Sequence, residues 1–306
     1  MPTRMSRRTF GAALGAGLLL GARTPPASAA PLTAGEVIDR VKKKLAEGGV
    51  TFQDRPMGPR GGTVDTFKVG DPDTPVTGVA TCWQATFEVL RKAAARKLNL
   101  VITHEPTFWN HLDSTKEVQD DPIYRAKREF AEKNHLVLWR FHDHWHQVQP
   151  DPIFAALTRQ LRWQLSGPGR GAVYLLPQTT LAAAARQVEE RLGTRSVRIV
   201  GDPQQPISRV AMTAHTLSSC LASFGNADAI LMGEPREFDT FEYFRDARAL
   251  GVPRSIIGIS HDRLEEWGMR EPCADWVRSF VPEVPVAPIA VEDWFWVTEP
   301  RKGATR

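Results

Sequence analysis

Imidazole and carboxylate side chains at short, regular intervals are the raw material of metal sites and of proton-transfer sites. The chain concentrates them at three places. The stretch Trp139-Arg-Phe-His-Asp-His-Trp-His146 holds three of the eight histidines, His142, His144 and His146. His104-Glu105-Pro106 sets an imidazole beside a carboxylate, and His261-Asp-Arg-Leu-Glu265 spaces the same two groups four apart. If a helix begins at His261, positions 261 and 265 share one face, as two ligands of one metal centre require. His142 and His146 repeat that interval. Adjacent residues such as His104 and Glu105 cannot both reach one ion from a helix, but from a tight turn they can straddle two. The zinc-peptidase motif His-Glu-x-x-His is excluded, because Phe108 occupies the place of its second histidine.

Such groups need elements to aim them, and the chain supplies a matched set twice. Val76–Cys82 reads as a buried strand, Ala85–Arg96 as a helix and Leu98–Thr103 as a strand ending at His104-Glu105. A helix over Tyr124–Lys133 and an apolar run over His135–Phe141 follow. The order returns with Ser208–Ala214, Leu217–Phe224, Ala227–Met232, Phe238–Leu250 and Arg254–Ser260. Both third runs end at a histidine. Parallel neighbours need crossover helices, so the pattern predicts an α/β fold of two similar lobes with largely parallel sheets. Residues 30–165 form the first expected lobe and 166–306 the second, which opens with a strand at Ala172–Pro177, a helix at Leu181–Leu192 and a strand at Val197–Val200. Before the repeat, Val37, Ile38, Val41 and Leu45 form one stripe of a helix over 33–47, with Thr33 as its cap. Residues 48–75 read as loop with one short strand near Thr63–Val69.

In open parallel sheets, functional groups gather just past the carboxyl ends of strands. The repeat therefore puts His104-Glu105, His142 to His146, Glu234 and His261 on equivalent rims, with a metal site expected between the lobes. Glu234 reads equally as a cap for the helix after it. His215 ends a strand as well and reads as a hydrogen-bonded structural residue, whereas His111 and His135 read as edge residues.

Charge narrows the partners. The net charge is +4, but Arg4, Arg7, Arg8 and Arg23 lie in the first 29 residues, which hold no acid. Removing those four takes the 39 basic side chains to 35, equal to the 35 acidic ones. The body is neutral, which removes the electrostatic case for a nucleic-acid backbone as partner. Residues 1–29 themselves read as a twin-arginine signal peptide: Ser6-Arg7-Arg8-Thr9-Phe10, a short apolar run and Ala27-Ser28-Ala29 as cleavage site. The run is too short to span a bilayer. A periplasmic or secreted protein with no membrane segment in its mature form is expected. Cys82, Cys220 and Cys273 lie far apart without Cys-x-x-Cys spacing, so neither a zinc ribbon nor a disulfide framework is implied.

Read as a strand, His142, His144 and His146 would share one side, as in the histidine trio of metallo-β-lactamases, but those place an aspartate before the last histidine, where Trp145 stands here. A closer resemblance is to the Nif-three-like dinuclear metal-centre family, some of whose members are called GTP cyclohydrolase I type 2. Thr103-His104-Glu105-Pro106 resembles that family's Thr-His-His-Pro block, and Phe141 to His146 its His-Thr-x-x-Asp block, with His146 in the aspartate's place. Ala227 to Asp239 is similar to its Asp-x-x-x-Thr-Gly-Glu block, with Met232 in the threonine's place. Gly258 to Gly268 is similar to its Gly-His-x-x-x-Glu block, matching His261 and Glu265. Glu105 for histidine and His146 for aspartate are compensating departures, since one carboxylate is gained and one lost.

The resemblance implies two divalent ions, Zn, Mn, Fe, Co or Ni, about 3.5 Å apart and bridged by a carboxylate and a water. Glu265 takes the bridging role, His104 and His261 are terminal ligands, and Glu105 and His146 complete the set. His142 and His144, with Asp143, are expected to orient imidazoles or move protons, and Trp109, Trp139 and Trp145 to wall a pocket. The implied activity is hydrolysis of a small, nucleotide-like or phosphorylated substrate, by a hexamer. A metal-binding hexameric scaffold without turnover is the competing expectation.

Overall fold

The computed structural model describes residues 31–58, 61–167, 173–293 and 295–298. The proposed signal peptide, 1–29, lies outside them. Helix α1 (Ala34–Glu47) starts where the sequence puts it: the Thr33 hydroxyl accepts from Glu36 N, and the Glu36 carboxylate accepts from Thr33 N at 2.8 Å. Its stripe of Val37, Ile38, Val41 and Leu45 is buried against one face of the first sheet.

That sheet contains β1 (Phe67–Val69), β2 (Val79–Gln84), β3 (Leu100–Glu105), β4 (Val137–Arg140) and β11 (Val286–Pro288), in the order β1-β4-β3-β2-β11. Strands β2, β3 and β4 run parallel, joined by α2 (Phe87–Ala95) and α3 (Pro122–Lys133). Every residue of β3 and β4 is buried, which explains their unbroken apolar reading.

The second sheet contains β5 (Gln164–Leu165), β6 (Val173–Thr180), β7 (Arg198–Val200), β8 (Pro206–Ala214), β9 (Ala229–Gly233) and β10 (Ser255–Ile259), in the order β5-β6-β8-β9-β10-β7. Its parallel triplet is β8-β9-β10. The repeat is thus real at the centre of each sheet, while both sheets are mixed. Strand β1 pairs antiparallel with β4, and β6 and β7 antiparallel with β8 and β10. Helix α5 (Leu181–Leu192) joins β6 to β7, and α6 (Leu217–Ser223) joins β8 to β9. Where one helix is expected over Phe238–Leu250, a π-helical turn at Glu237–Phe241 precedes α7 (Glu242–Ala249).

Three further helices decide where the chemistry lies: α4 (Pro152–Leu161), α8 (His261–Met269) and α9 (Glu271–Arg278). Helix α8 leaves the end of β10 in the second sheet yet packs against β2 of the first, as well as against β9, α4 and α9. Ile153 of α4 and Met269 of α8 enter the core of the first sheet, whereas Leu157 and Leu264 of the same helices enter that of the second. The two helices approach closely at Gly268, where a Cβ would lie 2.8 Å from Ile153 Cα. All of α8 except Trp267 is buried. A helix covered on all sides can present ligands to a cleft roofed by both sheets.

Among the described residues, no helix is long and apolar enough to cross a membrane. The three cysteines are buried and free.

Candidate metal centre

His104 and Glu105 are the last two residues of β3, and the neighbouring β4 ends one residue short of the Phe141–His146 loop. The loop is shaped by a carboxylate that the sequence reading passed over. Buried Asp65 accepts from His142 N (2.6 Å), Asp143 N (3.0 Å), His144 N (2.9 Å) and His144 Nδ1 (2.7 Å). Asp143 in turn accepts from Thr63 Oγ1 and Val64 N. The polar segment before β1 is therefore the clasp of the histidine loop.

Three imidazoles emerge from this framework, each with Nδ1 tied down. His104 Nδ1 donates to Phe141 O (3.0 Å), His142 Nδ1 lies 2.9 Å from Asp143 Oδ1, and His146 Nδ1 lies 2.9 Å from Asp151 Oδ2. Asp151 is the N-cap of α4, its other oxygen accepting from Ile153 N. An acceptor at Nδ1 fixes the tautomer and leaves Nε2 to face a cation. The rings of His104, His142 and His146 have centroids 4.6 to 5.1 Å apart.

His261 and Glu265 lie one turn apart at the start of α8, as their spacing predicts. Glu265 Oε2 is 2.8 Å from His261 Nε2 and 3.5 Å from His104 Nε2. Glu105 Oε1 is 3.8 Å from both His142 Nε2 and His261 Nε2. Its other oxygen faces Arg140 Nη2 at 3.4 Å. Arg140 is fully buried, and its guanidinium also donates to His104 O (3.0 Å) and His111 O (2.5 Å).

The five residues His104, Glu105, His146, His261 and Glu265 thus converge, and His142 stands among them with its Nε2 toward Glu105. His144 does not join them. Its Nδ1 is held by Asp65, its Nε2 accepts from Gln53 N at 3.0 Å, and its ring stacks on Phe52 with centroids 4.0 Å apart. Trp139 and Trp145 are core residues, whereas Trp109 lines the cleft.

Glu234, which the repeat put on the rim, and His215, which was read as structural, complete the mouth. Glu234 Oε1 lies 3.5 Å from His261 Nδ1, and its Oε2 lies 3.2 Å from His215 Nδ1. His215 directly follows β8 and Glu234 directly follows β9, and both adopt a left-handed backbone (φ 70° and 55°). With Trp83, Glu105, His111 and His261 they line a cleft of about 380 Å³. A wider cavity of about 930 Å³ reaches His142 and His146 from the other side.

The electrostatics are those of a site short of positive charge. Burial would raise the Glu105 and Glu265 carboxyls, but the facing His261 imidazole, supported by His104, holds both below the usual value, Glu265 far below it. Burial would lower His261, yet Glu265 and Glu234 hold it well above the ordinary histidine value. Burial lowers the His142 imidazole against the opposing pull of Asp143. His104 Nε2, His261 Nε2 and Glu265 Oε2 are all buried without a hydrogen-bond partner. The carboxylate oxygen faces the two nitrogens at 2.8 and 3.5 Å, an arrangement of lone pairs that divalent cations would satisfy. Among the described residues, ligand atoms of His104, His142 and His146, and likewise of His104, Glu105 and Glu265, lie within 4.8 Å of one another. Nitrogen and carboxylate donors in this mixture suit a first-row divalent ion.

Asp65→Ala is expected to leave three loop amides uncapped and to weaken metal binding about 10–100-fold, while His261 and Glu265 stay in place. Calorimetric titration of the chelated protein with Mn²⁺ checks this. Unchanged affinity would remove the clasp from the account.

The GTP cyclohydrolase 1 type 2 homolog of Clostridium perfringens (strain 13 / Type A) is 24% identical to this chain over 215 residues, 65% of this chain and 77% of that protein. A hypothetical protein of Staphylococcus aureus has the same fold, with a TM-score of 0.67 at 18% identity, over 88% of this chain and 100% of that one. So does a Bacillus cereus protein related to NIF3, with a TM-score of 0.66 at 14% identity and the same coverage. The family profile described as Duf34/NIF3 (NGG1p interacting factor 3) matches residues 66–292, a span that includes both parallel triplets and every ligand candidate. The chain belongs to the Duf34/NIF3 family.

Proposed function

We propose that this protein is a metal-dependent hydrolase with a dinuclear centre, acting on a small substrate that carries a phosphoester, amide or cyclic amidine group. The convergence of three buried, unpartnered ligand atoms, from His104, His261 and Glu265, carries the reading. His104, His142 and His146 would hold one ion and His261 the other, with Glu265, the expected bridge, and Glu105 as carboxylate ligands that each face imidazoles of both groups. Two divalent ions there supply Lewis acidity toward a substrate oxygen.

The chain's own residues do the rest. Phe141 O, Asp143 and Asp151 keep three Nε2 atoms aimed inward. Glu234 orients His261 through Nδ1 and links it to His215, which is half exposed at the mouth. Arg140 engages one oxygen of Glu105 and leaves the other for the centre. The relative named for GTP cyclohydrolysis suggests a nucleotide as one candidate. Export through the twin-arginine leader, which we also propose, argues against GTP because GTP is scarce outside the cytoplasm. Assembly as a hexamer is part of the same proposal.

The test is a panel of phosphoester, amide and cyclic-amidine substrates assayed with manganese, zinc or iron. Turnover that needs metal and disappears in Glu265→Ala is expected, with little or none on GTP. Silence across the panel together with tight metal retention would replace the hydrolase by a non-catalytic metal-binding scaffold.

A further inference from the structure

Beside the metal cleft lies a second cavity of about 560 Å³, walled mainly by Phe87, Trp109, Pro122, Ile123 and the Lys127 stem. Gln84 and Trp109 line both spaces and form a shared wall. The cavity is a shelf of large apolar side chains left open to solvent. Phe87, Trp109 and Ile123 are all exposed, Ile123 to 65%. Ligand sites combine such apolar walls with a few convergent polar groups. Here the polar groups lie across the shared wall.

The wall is built rather than loose. Trp109 adopts a left-handed backbone (φ 61°), which a bulky side chain rarely does. Its segment is pinned by Phe108 N donating to Asp113 Oδ1 (2.9 Å) and by paired bonds between Asn110 and Ser114 (2.6 and 2.9 Å). Beneath it, the Lys127 ammonium lies 5.3 Å from the Trp109 ring centroid and donates to Thr107 O at 2.5 Å. Lys127 is buried, and that burial pushes its amine down to about 8. Gln84 Nε2 donates to Pro106 O, whereas its Oε1 is buried without a partner.

The geometry points to a substrate with two ends: a hydrolysable phosphoester or amide group at the metal centre and, beyond the shared wall, a flat apolar ring seated on the shelf of Trp109, Phe87 and Ile123. The inference rests on the metal-site reading above and adds the chemical class that reading leaves open. A small polar substrate would leave the shelf bare. A ring on the far side of Trp109 buries it and gains an aromatic contact.

The experiment is calorimetric binding of 1-naphthyl phosphate and of methyl phosphate to the full, manganese-loaded chain, with metal content measured for every variant. The wild-type protein is expected to bind the naphthyl probe at least about tenfold more tightly. Ile123→Asp and Phe87→Ser are each expected to cut that ratio about fivefold or more. A ratio near one in the wild type, a ratio untouched by both variants, or no binding of either probe would overturn the shelf. So would a fall in molecular mass for Ile123→Asp with an unchanged ratio, since the shelf would then be a contact between copies of the chain. An intact ratio supports the shelf whether or not either probe is hydrolysed, so failure of turnover alone counts against the hydrolase and not against the subsite.

Discussion

Glu265→Ala is expected to reduce the divalent metal retained after dialysis from about two ions per chain to one or none, with affinity falling by more than about 100-fold. Loss of a residue that merely orients a ligand costs 10–100-fold, and Glu265 would be a ligand itself. Its Oε2 is buried, lacks a hydrogen-bond partner and lies within 3.5 Å of two imidazole nitrogens. The neighbouring buried acid, Glu266, is answered by Arg263 at 2.9 Å and by Val291 N at 2.5 Å. Glu265 faces the His104 and His261 imidazoles and the Glu105 carboxylate, so its removal changes the field at the centre. Plasma mass spectrometry of the dialysed variant gives the count directly, and chelated wild-type protein is the reference for folding. Retention of about two ions by the variant would reject the ligand assignment.

Arg140→Met should lower stability by about 3–5 kcal/mol, the usual cost of removing one partner of a buried ion pair. The melting temperature would then fall by the order of 10 °C. The guanidinium is fully buried and serves four acceptors: His104 O, His111 O, Asp113 and Glu105. Asp113 keeps Lys68 at 3.4 Å, while Glu105 loses the guanidinium and is left with the His261 and His142 imidazoles at 3.8 Å. Arg140→Lys should recover part of the loss, because lysine returns a charge without the planar fork that reaches several acceptors at once. Thermal unfolding of the chelated proteins separates this effect from metal binding. A midpoint within a degree or two of wild type would show that the buried charges are compensated some other way.

How far the sequence speaks depends on the distance over which each interaction acts. His261 and Glu265 were legible because both belong to one turn of one helix, and the 3.6-residue period brings them together regardless of the rest. The parallel triplets were legible because strands buried on both faces read as unbroken apolar runs, and two such series matched. The strands at β1, β6 and β7 were legible too, but their antiparallel direction was not, since it depends on partners far away in the chain. The four-residue interval of His142 and His146 suggested a helix, but the segment is a loop shaped by Asp65, 77 residues from His142. Nothing local marks that carboxylate or Arg140. Other signals were present and unread. Asp151 followed by Pro152 is a helix start, and it announces both α4 and the acceptor that holds His146. His215 follows from the repeat once strand ends are compared one by one, as Glu234 already did.

The placement of α8 has a thermodynamic consequence. Under the proposed loading, the two ions together with the Glu105 and Glu265 carboxylates would act as a reversible cross-link between the rim of one sheet and a helix rooted in the other. Ion occupancy and the docking of the two halves would then be linked equilibria, coupled by the tighter binding of the ions to the docked chain. At a hundredfold excess over the dissociation constant, that linkage contributes about 2.7 kcal/mol. A centre built across the seam in this way makes the integrity of the whole chain responsive to metal supply.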